Sequence, residues 1–170
     1  MSHGTVWKYG DNVNTDVIFP GRYTYQIMSP EEMAKHALED LDPAFAKTVK
    51  PGDIIVAGKN FGCGSSREQA AACLKAAGVQ AVVAKSFARI YFRNAINLGL
   101  PVLQSEEAPD RLEAGDAIDL DLPRGEIRSA KGTFAFHPLP ESVLGIIAAG
   151  GLIEYTKAKL REDETEEKKE

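Results

Sequence analysis

The chain has 170 residues, 44% of them hydrophobic and 26% charged, and a net charge of −5. That length suits one domain with a real core, and the acidic balance argues against nucleic acid or an anionic membrane as the main partner. No apolar run approaches the roughly 18 residues needed to cross a bilayer, and Met1–Thr5 lacks the basic and apolar regions of a signal peptide, so a cytoplasmic protein is expected.

In chain order, Thr5–Tyr9 reads as a short strand. Residues 10–28 are rich in Gly, Asn, Asp and Pro and form a long loop, the kind that carries function. Ser29, Pro30 and Glu32 signal a helix start with a capping box, and the helix is expected to run to about Leu38. A turn at Pro51-Gly52-Asp53 precedes a buried strand, Ile54–Ala57. After a glycine-punctuated loop, a helix is expected from about Ser66 to Ala77, stopped by Gly78, followed by a second buried strand, Ala81–Ala84. This β-loop-α-β unit predicts two parallel strands. A helix over Phe87–Leu98 and a strand over Pro101–Leu103 follow. The later chain predicts short strands at Ala117–Leu122, Glu126–Ser129 and Thr133–His137, and a helix at Glu141–Ala149. From Lys157 onward the chain is almost wholly charged and reads as a solvated or frayed tail, 157–170, after a domain spanning 1–156.

The two cysteines, Cys63 and Cys73, fit neither a zinc ribbon nor a CxxC motif, and the three histidines are scattered, so no metal site is expected on this chain. The informative segment is Gly58-Lys59-Asn60-Phe61-Gly62-Cys63-Gly64-Ser65-Ser66-Arg67-Glu68. A loop that leaves a strand and opens a helix offers unpaired N–H groups to an anion. Its glycines permit close backbone approach, and two serines and an arginine come with it. The loop is not a Walker motif, since no Gly-Lys-Ser/Thr follows. Arg67 stands where a dinucleotide fingerprint needs its third glycine, and GxSxG is absent. Spacing alone leaves two readings open: a serine-capped helix with surface charges, or a generic anion site.

The run Gly64-Ser65-Ser66-Arg67-Glu68 resembles the signature of the aconitase-type swivelling domain. Asn14-Thr15-Asp16 with Pro20-Gly21-Arg22-Tyr23, Lys85–Ile90 with Arg93-Asn94, and Asn97–Pro101 resemble further segments of that family, in order, over about residues 5–155. The resemblance implies an α/β swivelling β/β/α domain: a small parallel sheet flanked by helices, plus short antiparallel strands. It implies the stand-alone small subunit of a two-subunit hydro-lyase, as in isopropylmalate isomerases and homoaconitases. The expected partner is a large subunit carrying the [4Fe–4S] cluster, in a heterodimer or heterotetramer, with a small diacid as substrate and no cofactor on this chain.

The resemblance also implies roles. Ser65 is the catalytic base, acting as an alkoxide, and Arg67 stabilises it and grips a substrate carboxylate. Ser66, Gly64 and Arg22 bind substrate, and Asp16 orients other groups. The segment after Arg22, Tyr23-Thr24-Tyr25-Gln26-Ile27-Met28, contains no cation. A second carboxylate on the substrate's branch would be costly to bury there, so Tyr25, Ile27 and Met28 point to an apolar branch such as isopropyl. Homoaconitate and other methylated malates or maleates remain alternatives, as does a non-catalytic anion-binding module on the same fold. Arg89 and Arg93, four apart on a helix face, are expected to face solvent or the partner.

Overall fold

The computed structural model describes residues 3–167, with side chains to residue 162. The reading of the N-terminus falls partly on Met1 and Ser2, and that of the charged tail partly on residues 168–170, all outside the described residues. In chain order the elements are β1 (His3–Lys8), α1 (Thr15–Ile18), α2 (Pro30–Ala34), α3 (Phe45–Thr48), β2 (Ile54–Ala57), α4 (Gln69–Ala76), β3 (Ala81–Ala84) and α5 (Arg89–Asn97). They continue with β4 (Val102–Gln104), α6 (Ala108–Arg111), β5 (Ala117–Asp121), β6 (Glu126–Ser129), β7 (Gly132–Ala135), α7 (Glu141–Ala148) and α8 (Leu152–Glu167).

One sheet of seven strands runs in the order β4-β3-β2-β1-β5-β6-β7. β1 to β4 are parallel, and β5, β6 and β7 are joined to β1 and to one another antiparallel. β1 belongs to both halves: Val6–Lys8 pair with β2, whereas His3–Thr5 pair with β5. The sheet curls until its two ends meet, where His137 N–H donates to Gln104 O (2.8 Å) and Ser105 Oγ to Ala135 O (2.6 Å).

The curl makes two cores. β2 and β3 are apolar throughout and buried on both faces, as parallel strands must be. Ile55, Ala57, Val82 and Ala84 face a helical layer with Phe19, Phe45, Leu74, Tyr91 and Ala95. Their alternate neighbours Ile54, Val56, Ala81 and Val83 face Leu112, Ile118, Ile127 and Phe134, which the antiparallel arm and the α6 region supply. The period of two along each strand thus serves two different cores.

Helix ends depart from expectation where distant contacts intervene. The capping box of α2 is complete: Ser29 Oγ accepts from Glu32 N–H (3.2 Å) and Glu32 Oε2 from Ser29 N–H (2.9 Å). The helix nevertheless stops at Ala34, because Leu38 is left-handed (φ 56°) and its N–H donates to Ile18 O (2.8 Å) instead of extending the helix. α5 starts at Arg89 and not Phe87, since Phe87 bridges Phe61 in parallel fashion. The charged tail continues α8 through Lys157 without a break, and its charged side chains are exposed through Glu162.

Candidate active site

Three loops leave the C-terminal ends of β1, β2 and β3, the edge of a parallel sheet where ligands bind. They are zipped together by their backbones. Gly62 N–H donates to Val13 O (2.8 Å) and Thr15 N–H to Cys63 O (2.8 Å), joining the first loop to the second. Phe61 N–H donates to Ser86 O (3.0 Å) and Ala88 N–H to Phe61 O (2.9 Å), joining the second to the third. Gly62 (φ +78°) lies so close to α5 that a Cβ would fall 2.1 Å from the Tyr91 ring, and Gly64 (φ +100°) lies against the Asn14 amide. Only glycine gives both the left-handed backbone and the space.

Ser65 stands exposed at the crest of the second loop. Its N–H donates to Thr15 Oγ1 (3.0 Å), and the Thr15 hydroxyl lies 3.1 Å from Ser65 Oγ and 3.2 Å from Ser65 O. Arg67 Nε donates to Ser65 Oγ at 2.8 Å. The rest of the Arg67 guanidinium is held from the first loop: Nη1 by Phe19 O (3.4 Å) and Thr24 Oγ1 (3.2 Å), Nη2 by an ion pair with Asp16 Oδ1. Asn14 Oδ1 accepts from Asp16 N–H (2.8 Å) and caps α1, which fixes where Asp16 points.

Several sequence expectations need correction here. α4 begins at Gln69 and not at Ser66, so neither serine caps it and Ser65 does not rest on its first turn. The groups within hydrogen-bond distance of Ser65 Oγ are the Arg67 guanidinium and the Thr15 hydroxyl, not helix N–H groups. Ser66 is exposed beside Ser65, and its carbonyl accepts from Asn94 Nδ2 (3.2 Å). Arg22 does not reach the site: its guanidinium lies against Asp40 (3.0 Å) and Glu39 (2.8 Å) and over the Tyr23 ring. Tyr25 and Ile27 are fully exposed, while Met28 packs inward on the core.

A concavity of about 450 Å³ opens beside Ser65, lined by Gly62, Gly64, Ser65, Ala88, Arg89, Ile90 and Arg93. Sequence reasoning turned Arg89 and Arg93 toward solvent or the partner, and both are exposed; it did not see that they border this concavity. Their one signal was the four-residue spacing on α5, which does not say what the face looks onto. It missed Thr15 as well, although Thr15 stands inside the Asn14-Thr15-Asp16 motif.

Iron–sulfur clusters are held by cysteine thiolates. Cys73 is fully buried, its thiol directed at Ile18 O and Ala70 O, and burial pushes its pKa up. Cys63 is partly exposed and free. Among the described residues no group of three or more His, Cys, Asp or Glu is placed to hold a metal. The residues described therefore do not fit a cluster.

The model of the aconitase C-terminal domain matches residues 11–108, the stretch that holds all three loops. The 3-isopropylmalate dehydratase small subunit of Caldicellulosiruptor bescii is 55% identical over 162 residues, 94% of this chain and 97% of that protein. The chain belongs to the family of 3-isopropylmalate dehydratase small subunits. Small subunit 1 of Archaeoglobus fulgidus is 53% identical over 94% of this chain and 98% of its own. The crystal structure of 3-isopropylmalate dehydratase (leuD) from Methanocaldococcus jannaschii superposes with a TM-score of 0.88 at 44% identity, over 96% of this chain and 98% of that one. Membership extends over both arms of the curled sheet, not only the matched loops. No helix among the described residues is long and apolar enough to cross a membrane.

Proposed function

We propose that this chain is the small subunit of a leucine-biosynthetic hydro-lyase that interconverts 2-isopropylmalate and 3-isopropylmalate, and that Ser65 Oγ is its base. In this reading a proton leaves the carbon beside the carbinol, the hydroxyl departs as water, and water returns with the two positions exchanged. The Lewis acid that such a dehydration requires is assigned, with the [4Fe–4S] cluster, to the large subunit. The residues here bind the diacid and move the proton. The setting is the cytoplasm, where Cys63 and Cys73 stay reduced.

The observation that carries the reading is the donor set converging on Ser65 Oγ. A serine alkoxide at neutral pH must be stabilised by about 8 kcal/mol if its pKa is to fall by roughly six units. Arg67 Nε supplies a charge-assisted hydrogen bond at 2.8 Å. Thr15 Oγ1 already accepts from Ser65 N–H, so its own proton is directed toward Ser65 O or Ser65 Oγ. An alkoxide draws that proton to itself. Exclusion of water on closure against the large subunit strengthens both contacts. Asp16 fixes the Arg67 fork, and Gly64 and Ser66 flank the point of attack. Tyr25 and Ile27, apolar and outward, meet the isopropyl branch.

The test is turnover by this chain mixed with its reconstituted large subunit, followed by the ultraviolet absorbance of the unsaturated diacid. Isopropylmalate, homocitrate and citramalate are offered in parallel, with each subunit alone as control. Isopropylmalate is expected to react, only in the mixture. Ser65→Ala is expected to lower kcat by about 10²–10⁴-fold. A variant that keeps more than about a tenth of the rate, a loss of only ~1.4 kcal/mol, would remove Ser65 from the role of base.

A further inference from the structure

α5 carries a ridge of side chains that nothing in this chain covers. Arg89 and Arg93 are one helical turn apart and both exposed, and Ile90, next to Arg89 in the chain, is 53% exposed. The two arginines stand between two hollows. One is the concavity beside Ser65; the other, of about 320 Å³, is lined by Phe87, Arg89, Phe92, Arg93 and Gln104. Phe87 and Phe92 are half-buried and meet edge to face with ring centres 6.1 Å apart, which makes the second hollow aromatic. Gln104 O is the acceptor that closes the curled sheet, so this face runs from the catalytic loop to the seam. Among the described residues neither Arg89 nor Arg93 makes a hydrogen bond or an ion pair. The other arginines are committed: Arg22, Arg67, Arg111, Arg124 and Arg128 each pair with a carboxylate, and Arg161 acts on the charge of Glu154.

Building on the two-subunit reading above, we infer that this ridge and the aromatic hollow behind it are the docking surface for the large subunit, which meets them with carboxylates set around an apolar side chain. A small diacid that touches Ser65 Oγ and a Lewis acid on another chain at the same time brings that chain to the rim of the concavity, and α5 forms one side of that rim. The charges decide what the partner presents. Apolar surface laid over Arg89 and Arg93 would bury two unpaired cations at high cost, whereas a carboxylate matches each planar fork bidentately. Elsewhere a chain of net charge −5 repels an acidic surface, so the ridge fixes register as well as holding the partner. Ile90, Phe87 and Phe92 supply the apolar centre of the contact. An apolar side chain seated between the phenylalanines leaves the Ser65 side of the ridge to the substrate.

The test titrates this chain into its reconstituted large subunit without substrate and reads the Kd by calorimetry, with isopropylmalate turnover measured separately. Arg89→Glu and Arg93→Glu, singly and together, are compared with Arg124→Glu, an exposed arginine in the turn between β5 and β6. Each ridge reversal is expected to raise the Kd by about tenfold or more, and Arg124→Glu to leave it as it was. Added salt is expected to weaken wild-type assembly more than that of the double variant. Turnover lost at equimolar subunits is expected to return when excess small subunit saturates the complex. Should the reversals lower the urea midpoint, Arg89→Gln and Arg93→Gln give the same readout with smaller shifts. A folded double variant that assembles with the wild-type Kd overturns the inference. So does an equal loss in Arg124→Glu, which makes the effect one of net charge, and so does turnover that stays lost in the saturated complex. A wild-type complex that forms and shows the expected Kd shifts but turns over no isopropylmalate sinks the dehydratase reading and leaves the docking surface standing.

Discussion

Thr15 is the side chain that joins the two halves of the site. It is 1% exposed, and its hydroxyl meets the N–H, carbonyl and Oγ of a serine 50 residues later. Valine in its place keeps the shape and leaves the Ser65 N–H without an acceptor. Thr15→Val is expected to cost about 1–3 kcal/mol of stability in urea unfolding and to lower kcat about tenfold with KM little changed, while Thr15→Ser restores both. An unaltered kcat would mean that the hydroxyl does not act on Ser65 Oγ. Ser65, Arg67 and Asp16 were legible in the sequence through their motifs, and the structure brings them together. Thr15 was not, because a hydroxyl's meaning lies in its partner and this partner is fixed only by the folded loops. Arg22 misled for the same reason: its partners are Glu39 and Asp40, invisible at the level of a motif.

At the scale of elements, the second loop depends on how closely it lies against α5. Gly62→Ala would combine a left-handed alanine with a Cβ driven into the Tyr91 ring. Strain and overpacking together predict a loss of about 2–5 kcal/mol, read as a lower urea midpoint, with activity lost as Ser65 shifts. Gly10→Ala, at a position with open space around it, is the matched control and is expected to change little. β2 and β3 fall at Ile54–Ala57 and Ala81–Ala84 as the sequence predicts, since an unbroken apolar run between turn signals has few other uses. The start of α4 was misread because serines before a helical pattern look like caps. Here the Ser65 hydroxyl is engaged by Thr15 and Arg67, and the helix opens only at Gln69.

For the molecule as a whole, Asp53 is an acid-sensitive tie between β1 and the turn before β2. Its carboxylate accepts from Thr5 N–H (3.2 Å), Trp7 Nε1 (3.0 Å) and Lys50 N–H (2.9 Å). Burial alone would raise its pKa, but the hydrogen bonds from Trp7, Lys50 and Thr5 outweigh it and the value is lowered. A carboxyl depressed in the fold takes up a proton more readily when unfolded. Its contribution is complete above the unfolded pKa of about 3.9 and is lost as pH falls through the lower folded value. Urea unfolding of the wild type is therefore expected to show stability falling below about pH 4. Asp53→Asn should be less stable by about 1–3 kcal/mol at pH 7 and should show a shallower acid decline. Equal slopes for the two proteins would place the acid sensitivity elsewhere.

β1 is paired along both edges, and its two partners are made at very different times. β2 follows it by about fifty residues, whereas β5, which covers the other edge at His3–Thr5, is more than a hundred residues away. On the ribosome, every loop of the site and the whole parallel arm emerge before the antiparallel arm exists. Through that interval the outer edge of β1 and the second face of β2 and β3 have nothing to cover them. An uncovered strand edge recruits other strands. A shortened chain ending after Gln104 would keep Ser65, Arg67, Arg89 and Arg93 and still tend to join its own copies edge to edge. The antiparallel arm lines none of the concavity beside Ser65, yet it is what covers that edge and that face.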